Sequence, residues 1–120
     1  MKNTTKSIGE ESIALHKKYQ GKLKTGSKMP VRNFKDLSLV YTPGVGTVSS
    51  LIAKNKKLLK DLTFKGNSVA VVSDGSAVLG LGNIGPEGAL PVMEGKAIIF
   101  KEFADINAVP IVLNTQDQEE

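Results

Sequence analysis

No cysteine occurs among the 120 residues, which excludes disulfides, thiolate catalysis and cysteine-ligated metals. His16 is the only histidine, so a histidine metal cluster within this chain is excluded too. Tryptophan is absent, aromatic residues make up 5%, and Arg32 is the only arginine. Sequence-specific nucleic-acid readers need arginine forks and stacking rings. The formal charge of +4 therefore reads as lysine-rich solubility, and no nucleic-acid partner is expected. No apolar run is long enough to span a bilayer, and no signal-peptide core follows Met1. No membrane partner is expected, and a cytoplasmic location is the default.

What remains is a chain long enough for one domain with a modest core. Residues 1–6 are polar and expected to fray. Ser7-Ile8-Gly9-Glu10 matches a capping box and predicts a helix to about Tyr19, with Ile8, Leu15 and Tyr19 on one stripe. Gly21 stands just past its end, where glycine stops helices. His16 is expected as a surface or partly packed side chain. Residues 21–32, lysine-rich with two glycines and Pro30, read as a loop or extended arm. Residues 36–41 form a short apolar segment that Pro43-Gly44 interrupts, and a helix restarts near Thr47. The lysines of residues 54–60 read as a solvated helix face.

Ser68–Ser73 is rich in valine and predicts a strand. Asp74-Gly75 signals a hairpin turn, with residues 77–81 as the partner strand. A glycine-rich loop, a helix starting near Pro86 and a strand at residues 109–113 follow. The predicted class is α/β: N-terminal helices, then a small mixed sheet of hairpin, helix and strand.

One lysine stands in an unusual place. At 3.6 residues per turn, Ala89, Val92, Met93, Ile99, Phe100 and Phe103 fall within roughly 60° of Lys96, and all are apolar. Glu94, Lys101 and Asp105 fall on the other side. An amine in such a surround loses hydration, which favours its neutral form and makes it a candidate base or nucleophile. The alternative is a lysine that snorkels, with a buried stem and a wet head.

Gly80-Leu81-Gly82-Asn83-Ile84-Gly85 fits the G-x-G-x-x-G spacing between a strand and a helix. Three features argue against a dinucleotide site there. The preceding strand reads as half of a hairpin. Residues 109–113 run into Asn114 rather than an acidic residue. Too little chain follows to complete a mononucleotide-binding half. A tight loop lining another site is the better expectation.

Four blocks together resemble the N-terminal domain of bacterial-type malic enzymes. They are Asp36-Leu37-Ser38-Leu39-Val40-Tyr41-Thr42-Pro43-Gly44-Val45, Gly66-Asn67-Ser68-Val69-Ala70-Val71-Val72-Ser73-Asp74-Gly75, Ala77-Val78-Leu79-Gly80-Leu81-Gly82-Asn83-Ile84-Gly85-Pro86 and Pro91-Val92-Met93-Glu94-Gly95-Lys96. The resemblance covers residues 15–113. It implies oxidative decarboxylation of malate to pyruvate and CO2, with NAD or NADP and a divalent Mg or Mn. It implies that Tyr41 is the general acid and Lys96 the general base, the residue that helical geometry singles out separately. It implies that the glycine loop, with Gly82 and Asn83, lies near the substrate pocket rather than the dinucleotide.

The family's metal carboxylates and NAD(P)-binding Rossmann domain lie downstream of the matching region, so cofactor-binding and metal-ligating residues are not expected within this chain. Residues 1–32 are expected as a helix and arm packing on a partner subunit of a homodimer, and residues 33–120 as an incomplete catalytic domain. The acidic ending at residues 116–120 suggests a portion of a longer enzyme or a truncated product, inactive alone. A non-catalytic dimerisation or interaction module of the same fold is the alternative.

Overall fold

The computed structural model describes residues 6–117 and residue 119; the expected fraying of residues 1–5 and the extreme C-terminal residues lie outside them. The described residues form two compact units, one of residues 6–23 with those from 70 onward, the other of residues 24–69. The chain passes between them at Leu23/Lys24 and at Val69/Ala70.

The first unit begins with α1, Ile8–Tyr19, capped as the sequence predicts. The Glu10 amide donates to Ser7 Oγ at 3.2 Å, and Glu10 Oε2 accepts the Ser7 amide at 2.8 Å. Gln20 takes the left-handed conformation that ends the helix, and Gly21 follows at φ +95°. No side chain of α1 is buried, and Ile8, Leu15 and Tyr19 on its apolar stripe are exposed.

Strand β1, Ser68–Ser73, pairs with β2, Asn107–Val112, in a two-stranded parallel sheet. The Leu113 amide adds one more bond to the Ser73 carbonyl at 2.9 Å. Between the strands runs α5, Gly85–Ala104, with Pro86 in its first turn. It packs on β2, and its buried stripe is Ala89, Met93 and Ala97, four residues apart. Two alanines let the helix backbone approach the strand closely. With Val78 these three make up the buried apolar core of the described residues.

The α/β class holds, but the hairpin does not form. Residues 77–81 make no strand. Val78 instead bridges Gly82 four residues on, closing a tight turn with both bonds at 2.8 Å. The crossover through α5 brings β2 to the edge of β1, and β2 is its partner instead of the hairpin strand. Asp74 starts a turn through bonds to Ser76, whose amide and hydroxyl donate to Asp74 Oδ1 at 2.9 and 2.7 Å. These two bonds hold the Asp74 carboxyl below the usual carboxylate range. Gly75 has φ +72°, is buried, and lies against the Gly85 backbone, where a Cβ would collide with the Gly85 carbonyl. The Ile84 amide returns to the Gly75 carbonyl at 3.1 Å, stapling the loop's end to its start.

The second unit, residues 24–69, is built of short helices. Of residues 36–41, all but Tyr41 are helical, as part of α2, Phe34–Val40. Its cap is Asn33, whose Oδ1 accepts the Asp36 amide at 2.9 Å, while Asp36 Oδ2 accepts the Arg32 amide at 3.1 Å. Next come α3, Gly44–Lys54, a 3-10 turn at Lys56–Leu58, α4, Leu59–Leu62, and a second 3-10 turn at Phe64–Asn67. The lysine run lies exposed, as expected. No side chain of residues 24–69 is buried.

Candidate active site

Tyr41 occupies the junction between α2 and α3. Its amide donates to the Leu37 carbonyl at 2.9 Å and closes α2. Its own carbonyl accepts the Val45 amide at 2.7 Å and opens α3. The Thr42–Pro43 peptide is cis. Gly44 makes the tight junction possible: a Cβ there would lie 2.6 Å from the Ser38 carbonyl oxygen and 2.8 Å from that of Leu39. The backbone of Tyr41 is therefore tied on both sides, while its side chain is 66% exposed.

Lys96 sits in the middle of α5, and it too is exposed. Of the two settings the helical pattern left open, a dehydrated amine is not found among the described residues. The physical reason is which arc of the helix meets the strand. The buried arc is centred on Met93, and Lys96 lies roughly 60° to its side at about 100° per residue. The residues flanking Lys96 on that open side, Val92, Ile99 and Phe103, are exposed as well, Phe103 by 85%. The lysine thus stands in an apolar stripe, as the pattern predicts, but the stripe is bare.

Tyr41 belongs to the second unit, whereas Lys96, Gly82 and Asn83 share the first. Gly82 has φ +74° and is held in the Val78 bridge. Asn83 is engaged on both ends of its amide. Its Nδ2 donates to Gln116 Oε1 and its Oδ1 accepts from Gln116 Nε2, each at 3.0 Å. The same Oδ1 accepts the Gly85 amide at 3.3 Å, at the start of α5. Asn83 therefore clasps the glycine loop to the segment after β2. The sequence carries no local signal of this clasp, because the pair spans 33 residues.

Among the described residues no three His, Cys, Asp or Glu side chains gather as metal ligands, so these residues do not fit a metal centre by themselves. Nor is any helix among them long and apolar enough to cross a membrane.

A family model described as malic enzyme, N-terminal domain, matches residues 20–120. The chain belongs to this family. It is 60% identical over 111 residues to a bifunctional malic/malolactic enzyme of Bacillus subtilis, covering 92% of this chain and 27% of that protein. It is 60% identical over 114 residues to an NAD-dependent malic enzyme of Geobacillus stearothermophilus, covering 95% of this chain and 23% of that one. Among solved structures, a malic enzyme from Pyrococcus horikoshii superposes with a TM-score of 0.91 at 44% identity, over 94% of this chain and 27% of the other. The NAD-dependent malic enzyme of Thermotoga maritima gives 0.86 at 51% identity, over 90% and 30%. The chain spans about a quarter of the length of these two curated relatives.

Proposed function

We propose that this chain supplies the two proton-transfer residues of a malic enzyme, which oxidatively decarboxylates malate to pyruvate and CO2 with NAD or NADP and divalent Mg or Mn. The observation that carries this reading is the family match over residues 20–120, a span that contains both Tyr41 and Lys96. The described residues do not fit the metal, and the matched span corresponds to the N-terminal part of the family. The residues of this chain handle protons in this reading, while hydride transfer and charge stabilisation belong to the cofactor and the metal.

In this reading Lys96 Nζ accepts the proton of the malate C2 hydroxyl, a task that requires the amine to be neutral at that moment. Beside Lys96, Val92, Ile99 and Phe103 form an exposed apolar stripe. Tyr41 Oη then delivers a proton to C3 after CO2 has left. Gly82 and Asn83 shape the adjoining pocket wall, with Asn83 held in place by Gln116.

The test is a pair of variants in the full-length protein. Lys96→Ala is expected to lower malate oxidation by about 100-fold or more, the usual range for losing a general base. Tyr41→Phe is expected to lower the overall reaction as well, yet to spare reduction of a ketone substrate. Full activity in both variants would refute the roles.

A homodimer is part of the same proposal. The apolar side chains of α1 are exposed among the described residues, Ile8 at 82%, which leaves them available to a second subunit. A monomeric full-length protein at micromolar concentration would refute this. The cytoplasmic location is likewise a proposal.

A further inference from the structure

We propose that Lys22 is a positioning residue for Lys96, acting through the turn of α5 that precedes it; this rests on the reading of Lys96 as the base. The helix is at its weakest just ahead of Lys96. Pro91 lies inside α5 and has no N–H, so the carbonyl four residues earlier, on Glu87, loses its helical donor. Gly88 and Gly95 flank it, each costing a helix interior about 1 kcal/mol relative to alanine. A catalytic amine placed there inherits the looseness of its backbone.

The segment just past α1 braces this stretch. Gly21 approaches α5 so closely that a Cβ would lie 3.1 Å from Glu94 Oε1. That approach lets the Lys22 amide donate to Glu94 Oε2 at 3.0 Å in a half-buried setting. The Lys22 side chain then reaches along the helix, and its Nζ donates to the Pro91 carbonyl oxygen at 2.7 Å. This carbonyl is the helical acceptor for the amide of Gly95, immediately before Lys96. One residue therefore grips two points of the weak turn, and in each bond one partner is charged.

The placement matters as much as the bonds. Pro91 and Glu94 lie roughly 140–160° around the helix from Lys96, and Gly95 about 100°. The brace holds the back of the helix and leaves the face with Lys96 open to substrate. Gly95 has no side chain on the braced face, where a Cβ would stand 4.0 Å from Lys22 Nζ.

The experiment compares Lys22→Met, Lys22→Arg and Lys96→Ala in the full-length protein. Methionine keeps the aliphatic stem and removes the donor, whereas arginine keeps a donor. For Lys22→Met the expected result is a kcat lower by about tenfold with KM for malate changed by less than about twofold, because a displaced catalytic group costs rate rather than binding. Amide hydrogen exchange over residues 92–99 should quicken in the same variant. Lys22→Arg should recover most of the rate. If Lys96→Ala is inactive and Lys22→Met keeps full kcat, the brace has no role and the base reading stands. A rate loss that arginine does not recover, or one that merely follows a lowered unfolding temperature, also overturns the positioning role. An active Lys96→Ala is a different failure and removes the base reading itself.

Discussion

The two candidate catalytic residues stand on backbones secured by opposite means. Lys96 rides on a 20-residue helix whose Ala89, Met93 and Ala97 are buried against β2. Tyr41 sits in a run of short helices, residues 24–69, where no side chain is buried at all. Burial is non-directional and proportional to area, so the first region draws its stability from packing. The second has caps and close backbone approaches instead: Asn33 on α2, and Gly44 against the Ser38 and Leu39 carbonyls. Directional contacts of this kind fix geometry tightly but contribute little to global stability. Substitutions should therefore act globally in the first region and locally in the second.

Gly75→Ala should have the largest effect. It forces a Cβ into the Gly85 backbone at a left-handed φ, in the turn that joins β1 to the start of α5. We expect a loss of about 3 kcal/mol or more in the full-length protein, read by denaturant unfolding. Met93→Ala should cost about 3 kcal/mol by the same measurement, since it opens a cavity in the middle of the buried stripe. Were Met93→Ala neutral, packing on β2 would not be what holds Lys96's helix. In the other region, Gly44→Ala should act locally, by pushing α3 from α2, with a global unfolding shift well below that of Met93→Ala. Amide exchange should quicken over residues 37–45 and stay unchanged in α5. A global unfolding shift as large as that of Met93→Ala would erase the contrast.

The sequence was most legible where the signals are local. Ser7 and Glu10 announced α1, the valines of Ser68–Ser73 announced β1, and Pro86 marked the start of α5. Asn33 with Asp36 was a local signal as well, an N-cap three residues before an acidic side chain, but the apolar run behind it drew the reading toward an undefined segment. Strand pairing was not legible. Asp74-Gly75 does make a turn, yet β1 takes its partner from 34 positions further along the chain, at β2. Nothing in residues 77–81 reveals that competition. Likewise the helical period placed Lys96 correctly among apolar neighbours but not which arc meets the strand, because size decides that. Ala89 and Ala97 allow close approach, whereas Ile99 and Phe103 are bulky and stay out. The Asn83–Gln116 clasp and the Lys22 brace join residues far apart in the chain, where no periodicity reaches.

The smallest effect tests whether α1 belongs with the packed region or the capped one. It buries no side chain, so its capping box should govern its local stability. Glu10 accepts from the Ser7 amide and hydroxyl, and both bonds favour the ionised carboxyl, holding it below the ordinary glutamate range. A group depressed in the folded state lends stability that is present above its unfolded-state value and is lost as pH falls through the folded one. Acidification below the usual carboxylate range should therefore quicken amide exchange in Ile8–Tyr19 before it touches α5. Glu10→Gln should remove the charge-dependent part of that response while leaving the Ser7 side-chain bond to the Glu10 amide position intact. If α1 and α5 instead lost protection together at one pH, α1 would be anchored by packing, most directly by a second subunit covering Ile8, Leu15 and Tyr19.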